Sequence, residues 1–153
     1  MNRIFIILLV INLTFKLNSD AQNVTVEPKV NQLLNDLIRG LQVQNIEESE
    51  KIVLGCVHSS LKTEDGKRLI RDVFEYSFQK AHEVAALYQY PVLVARMREK
   101  GQTTVGHEPN TEQGRIVEYY LSKKSKDNGL PAPVQVFFPA SGGNPTIYYL
   151  GGL

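Results

Sequence analysis

The chain has 153 residues, with 17 Lys+Arg against 16 Asp+Glu, one cysteine, no tryptophan and 42% hydrophobic residues, which suits one compact domain. Balanced charge supplies no drive toward phosphate backbones and argues against a dedicated nucleic-acid binder. A single cysteine excludes an internal disulfide framework and a Cys-rich zinc site.

Asn2 and Arg3 lead into the apolar run Ile4 to Phe15, followed by the polar stretch Lys16-Leu17-Asn18-Ser19-Asp20-Ala21. This is the layout of a secretory signal peptide over residues 1–21, with Ser19 and Ala21 as the small residues before a cut at Ala21/Gln22. The run falls short of the roughly 20 apolar residues of a bilayer span, so a retained anchor is the lesser reading. The expected product is a secreted or periplasmic domain over residues 22–153, without a stable membrane span. Losing Arg3, Lys16 and Asp20 leaves 15 side chains of each sign and a net charge of zero. Asn23-Val24-Thr25 is a glycosylation sequon, relevant only in a eukaryotic secretory pathway.

Val30, Leu33, Leu34, Leu37, Ile38 and Leu41 form a one-sided helical stripe, with Asn35 and Asp36 on the solvent side. Asn45, three residues before Glu48, reads as a capping-box start. The second helix then presents Ile52, Val53, Cys56, Val57 and Leu61. Thr63 to Gly66 reads as a turn. A third helical stretch carries Leu69, Ile70, Val73 and Phe74, then Phe78, Ala81, Ala85 and Tyr88, with a break predicted near residues 75 to 77 because Ser77 can restart the helix.

From Tyr90 the period changes to two. Residues 92 to 98 read as a strand with Leu93, Ala95 and Met97 on one face and Val92, Val94, Arg96 and Arg98 on the other. Thr103 to Val105 extends it or forms a short partner, and Gly106 to Gly114 reads as a loop. Arg115 to Lys124, Val134 to Phe138 and Thr146 to Leu150 are further strands. Their short connectors favour antiparallel neighbours, because parallel crossovers are much longer.

Helices followed by a meander imply an α+β domain with N-terminal helices packed on a curved antiparallel sheet. In element order, in the Asn45-Ile46-Glu47-Glu48 step and in the segment Ser77 to Leu87, residues 29 to 153 resemble the nuclear-transport-factor-2-like superfamily, the cone-shaped family that includes SnoaL-like domains. The resemblance implies a sheet wrapped around a helix, with a pocket at the open end of the cone that serves catalysis, small-ligand binding or protein contacts. Such breadth leaves function to the site residues.

By the same resemblance, His82 lies on the helix bordering the pocket. In an unbroken helix Glu75, Phe78, Gln79 and His82 share a face, so His82 with Glu75 or with Glu118 on a later strand forms a candidate acid and base set. Against it, a histidine among Ala81, Ala85 and Ala86 is more often a packed, hydrogen-bonded structural residue. Glu118 either lines a pocket or lies on the sheet's outer side. The first helix offers no acid, base or tyrosine inward, which also weakens an isomerase or hydrolase-like reading. His58, two residues from Cys56 on a predicted helix, reads as a helix-end or interface residue, because the two side chains diverge. His107 beside Glu108 does not make a metal site, and no phosphate loop, G-x-S-x-G or H-E-x-x-H occurs.

Tyr119, Tyr120, Phe137, Tyr148 and Tyr149 fall on three strands, where adjacent aromatics place one ring on each face. They are candidates for a ligand-binding or interface surface, or for cross-strand pairs that only stabilise the sheet. The sequence therefore points to a small-ligand-binding or protein-interaction module, with a small apolar ligand or a homodimer through the sheet as partners and no cofactor. The rival is a small cone-fold enzyme using His82.

Overall fold

The computed structural model describes residues 24–153. The expected signal segment, residues 1–21, lies outside them. Helix α1 (Pro28–Leu41) leads through a short turn to α2 (Ile46–Leu54) and a 3-10 turn, Ser59–Leu61. A continuous helical stretch follows, made of α3 (Arg71–Val73), a π turn (Phe74–Phe78), α4 (Gln79–Val84) and a 3-10 turn (Ala85–Leu87). Four strands complete the chain: β1 (Val94–His107), β2 (Asn110–Leu121), β3 (Ala132–Pro139) and β4 (Thr146–Tyr149), antiparallel in the order β1-β2-β3-β4. The architecture is α+β, helices packed on an antiparallel sheet that is not closed into a barrel.

The stripe of α1 becomes the centre of the core. Val30, Leu34, Leu37, Ile38 and Leu41 are essentially inaccessible, and burial of each such side chain is worth about 1.5–3 kcal/mol. Asn35 is not idle on the solvent side. Its side-chain oxygen accepts from the Val92 backbone N–H at 2.8 Å, tying α1 to the approach of β1. As the sequence predicts, the Asn45 side chain caps α2 by accepting from Glu48 N–H at 2.9 Å. The buried carboxylate of Glu50 holds the following loop by accepting from Arg68 Nε at 2.9 Å and Leu69 N–H at 2.8 Å.

Helix α2 stops earlier than its apolar spacing suggests. After Gly55 the chain turns extended, and Val57 bridges Ile147 in parallel, with Ile147 N–H donating to Cys56 O and His58 N–H to Ile147 O, both at 2.8 Å. Cys56 thus sits beside the β4 edge instead of on a helix, yet is still buried. Burial foremost, aided by the Asp36 charge and opposed by Arg39 and Lys62, pushes its thiol up to about 11. Only roughly one thiol in a thousand is then ionised at pH 8. We expect Ellman's reagent to leave the native protein unmodified on a timescale at which it modifies Cys56 in urea; equal rates in both would show that the site is open.

The third helical stretch does not break near residues 75 to 77: it runs on through the π turn, where Gln79 N–H bonds back to Phe74 O, and Ser77 lies inside that turn and caps nothing. One extra residue in the turn changes which side chains share a face downstream. Phe78, Ala81, Ala85 and Tyr88 face the core, and Gln42 secures the end of the stretch by donating to Ala85 O and Tyr88 O.

Strand β1 is longer than its apolar pattern, and its faces differ from a simple alternation. An irregularity between Val94 and Arg96 lets Val94, opposite Leu121, face the helices while Arg96, opposite Tyr120, faces away. A bulge adds one residue and reverses side-chain parity beyond it. The expected loop over residues 106 to 114 is instead a hairpin, with His107 opposite Asn110 and Gly106 opposite Thr111. Its polar residues give no hydrophobic alternation, and the ladder is carried by backbone pairing, with Val105 buried at its root and Glu112 held to His58.

Alternate residues of the sheet divide cleanly. Val94, Val117, Tyr119, Leu121, Ala132, Val134, Val136 and Ile147 join the helices in the main core. On the other face, Val105, Ile116 and Phe137 make a second, smaller cluster with Tyr148 against it. His58 closes this cluster, its ring edge-on to Phe137 at 5.2 Å and to Tyr148 at 6.0 Å between centroids.

Candidate functional site

Glu118, the candidate carboxylate of β2, lies on the sheet face turned away from the helices, opposite Arg98 and Gln135. It is only 7% exposed. Tyr120 OH donates to it at 2.9 Å and Gln135 Nε2 at 3.1 Å, while Lys100 Nζ stands 4.0 Å away. Burial alone would raise its pKa, but these two hydrogen bonds and the charges of Lys100 and Arg98 outweigh it and hold the carboxyl below its ordinary value. The group is thus a satisfied anion and not a proton donor.

A depressed folded-state pKa makes the ionised carboxylate stabilising above the unfolded-state value, and that stabilisation drains away as pH falls through the lower, folded-state value. Glu118→Gln should therefore flatten the acid limb of stability, measured as urea midpoints against pH. A variant with the same acid limb as the wild type would assign the limb to other carboxylates.

His82 takes a different course. Its Nε2 donates to the Val43 backbone carbonyl at 2.7 Å, and its ring lies 6.0 Å from that of Phe78. The proton on Nε2 is committed to fixing the chain between α1 and α2 against α4. A shallow surface cleft of about 620 Å³ runs beside it, lined among others by Gln42, Gln44, Glu83 and Lys124. Glu75 is absent from that lining and instead pairs with Arg71 Nε at 3.0 Å. The shared face predicted for Glu75 and His82 required regular α-helical spacing, and the π turn that contains Glu75 departs from it by one residue. Among the described residues, no hydrogen bond connects His82, Glu75 and Glu118.

The five aromatic candidates separate as adjacent strand residues must. Tyr119 points into the main core and is 5% exposed, and Phe137 is wholly buried in the second cluster. Tyr148 is half-buried against Phe137, whereas Tyr149 is 44% exposed. Tyr120 is half-exposed on the face away from the helices, under the Arg96 guanidinium, which sits 3.8 Å from the ring centroid. Arg96 on Tyr120, Tyr120 on Glu118 and Gln135 on Glu118 form one linked row across β1, β2 and β3. Arg98 and Lys100 beside it are exposed.

Sequence reasoning did not join His58 to Ser60 and Glu112. His58 Nδ1 lies 2.8 Å from Ser60 Oγ and 3.1 Å from Ser60 N, and Nε2 lies 3.3 Å from Glu112 Oε2. The His-Ser-Ser spacing was a local signal for the first contact. Glu112 gave none, because its place in the hairpin is set by pairing with β1.

No group of three or more histidine, cysteine, aspartate or glutamate side chains among the described residues is placed to hold a metal ion. No described helix is long and apolar enough to cross a membrane. Comparison of the chain with protein-family models, with curated proteins and with solved structures finds no match in any of the three.

Proposed function

We propose that this chain is an exported protein-interaction module whose contact surface is the sheet face turned away from the helices. The observation that carries the reading is the linked row Arg96, Tyr120, Glu118 and Gln135, held in place by stacking and hydrogen bonds while Arg96 stays exposed. Arginine and tyrosine are the side chains that most often anchor protein contacts, and fixing them in advance lowers the entropy lost on binding. The signal-like residues 1–21 support export.

The sheet edges are poorly suited to pairing. Strand β1 carries Arg96, Arg98, Glu99 and Lys100 and two register irregularities, the devices that discourage another strand from adding on. The β4 edge is partly covered by the bridge from Val57. Contact therefore falls to the face. There Arg96, Arg98 and Lys100 surround a single carboxylate that is already satisfied. This excess of cations fits an acidic partner better than a second copy, whose own cations would oppose them.

Native mass spectrometry of the protein recovered from its natural compartment tests this, comparing the wild type with Arg96→Glu/Arg98→Glu. We expect a complex in the wild type that the variant loses. A homodimer mass would replace the acidic partner by a second copy. A monomer in both samples, or a retained small molecule indifferent to the substitution, would remove the face from the function.

A further inference from the structure

The contacts of His58 fix the positions of two protons. The Ser60 backbone N–H can only donate, so Nδ1 must be the unprotonated nitrogen that accepts it, at 3.1 Å. The ring proton therefore sits on Nε2 and is directed at Glu112 Oε2, 3.3 Å away. With Nδ1 bare, the Ser60 hydroxyl 2.8 Å from it must be the donor. A serine hydroxyl donating to a neutral imidazole, itself oriented by a carboxylate on its other nitrogen, is the arrangement that activates a serine nucleophile.

The surroundings follow the same order. His58 is buried behind the pair, with a side chain only 6% exposed, whereas Glu112 is 42% exposed. Ser60 lines a cleft of about 500 Å³ between residues 59–70 and the tip of the β1-β2 hairpin, where Lys62, Ile70, Gly106, His107 and Asn110 also contribute. The cleft has the volume of a small-molecule site. Ser60 comes from the 3-10 turn and Glu112 from β2; of the three residues, Ser60 is the one that lines the cleft.

We propose that Ser60 is a nucleophile toward small esters, with His58 as its base and Glu112 as the group that positions the base. In the first half, Ser60 Oγ bonds to the acyl carbon while its proton passes to His58 Nδ1. The ester C–O bond then breaks, and the departing alkoxide takes that proton. In the second half, water attacks the acyl-serine, giving its proton to Nδ1, and Ser60 Oγ leaves with it, so an ester and water become a carboxylic acid and an alcohol. Protonation of Nδ1 also releases the Ser60 amide N–H beside the reacting carbon, where an oxyanion develops. This proposal does not rest on the interaction face, which lies on residues the reaction does not use.

The test is covalent labelling of the full chain by a fluorophosphonate probe, read by intact mass and peptide mapping. We expect one adduct on Ser60, absent from Ser60→Ala. Glu112→Gln, at a partly exposed position, should keep the wild-type circular dichroism but slow labelling at least about tenfold and alter its pH profile. Hydrolysis of p-nitrophenyl acetate should fall in parallel. A wild-type chain that resists the probe, an adduct on Ser59 or elsewhere, or a Glu112→Gln rate equal to wild type would each overturn the proposal, leaving His58 as a cap for the 3-10 turn.

Discussion

Phe137→Ala is expected to lower the free energy of unfolding by about 3–5 kcal/mol, the range for removing a fully buried aromatic side chain. The ring is wholly buried, although it lies on the sheet face opposite the helices, where it organises Val105, Ile116 and Tyr148 and takes the edge of His58. No described α-helix backs this cluster, so collapse into the space would have to come from the hairpin and from the segment around His58. For a domain of this size the loss corresponds to a melting temperature lower by roughly 10 °C or more. Denaturant unfolding followed by circular dichroism would measure it, with the midpoint shifted and the slope unchanged. A cost under about 1 kcal/mol would mean that the second cluster is not an independent source of stability. Since the cluster also holds His58, Phe137→Ala should slow probe labelling of Ser60 even where the protein remains folded.

The second large effect is expected at Gly114. A Cβ there would overlap the Phe138 carbonyl oxygen and stand 2.6 Å from the Phe137 ring, so glycine is the residue that lets the ring lie across β2. Alanine ordinarily gains a little over glycine in a strand, because glycine gives up more backbone freedom. Here overpacking should reverse the sign, and Gly114→Ala should cost about 1–3 kcal/mol. A double-mutant cycle with Phe137→Leu separates the two obstructions. The part caused by the ring should appear as a coupling of about 0.5–3 kcal/mol, and the remainder reports the backbone oxygen. If Gly114→Ala were neutral, β2 and β3 would have to separate there at no cost.

Much of the fold was legible because it depends on local pattern. The α1 stripe, the Asn45 cap and the three later strands all follow from side-chain spacing or from a cap within a few residues. Errors fell where a distant backbone decided the outcome. Cys56 and Val57 continue a helical spacing, but Gly55 ends the helix and β4 offers hydrogen bonds that make them extended. Residues 106 to 114 have the composition of a loop, yet the ladder begun by buried neighbours carries them into a hairpin. Simple alternation along β1 puts Val94 and Arg96 on one face, and the irregularity between them places them on opposite faces.

The candidate residues show the same division. Alternation along β2 allows Glu118 to line a pocket or to lie on the outer face, and cross-strand register places it on the face away from the helices, with Gln135 and Arg98 opposite it. His82 and Glu75 were joined by helical spacing and parted by one π turn. His58 and Glu112 are 54 positions apart and had no pattern in common.

Composition alone excluded an internal disulfide framework, because that depends on a count that folding does not change. Periodicity determined the order of helices and strands and the α+β class. Tertiary structure decided what each polar side chain is for, since a hydrogen bond or a stacked ring requires two groups within a few ångströms. Spacing along the chain fixes such distances inside one helix or strand, and only the packed sheet could set Arg96 over Tyr120 or bring His58 to Glu112.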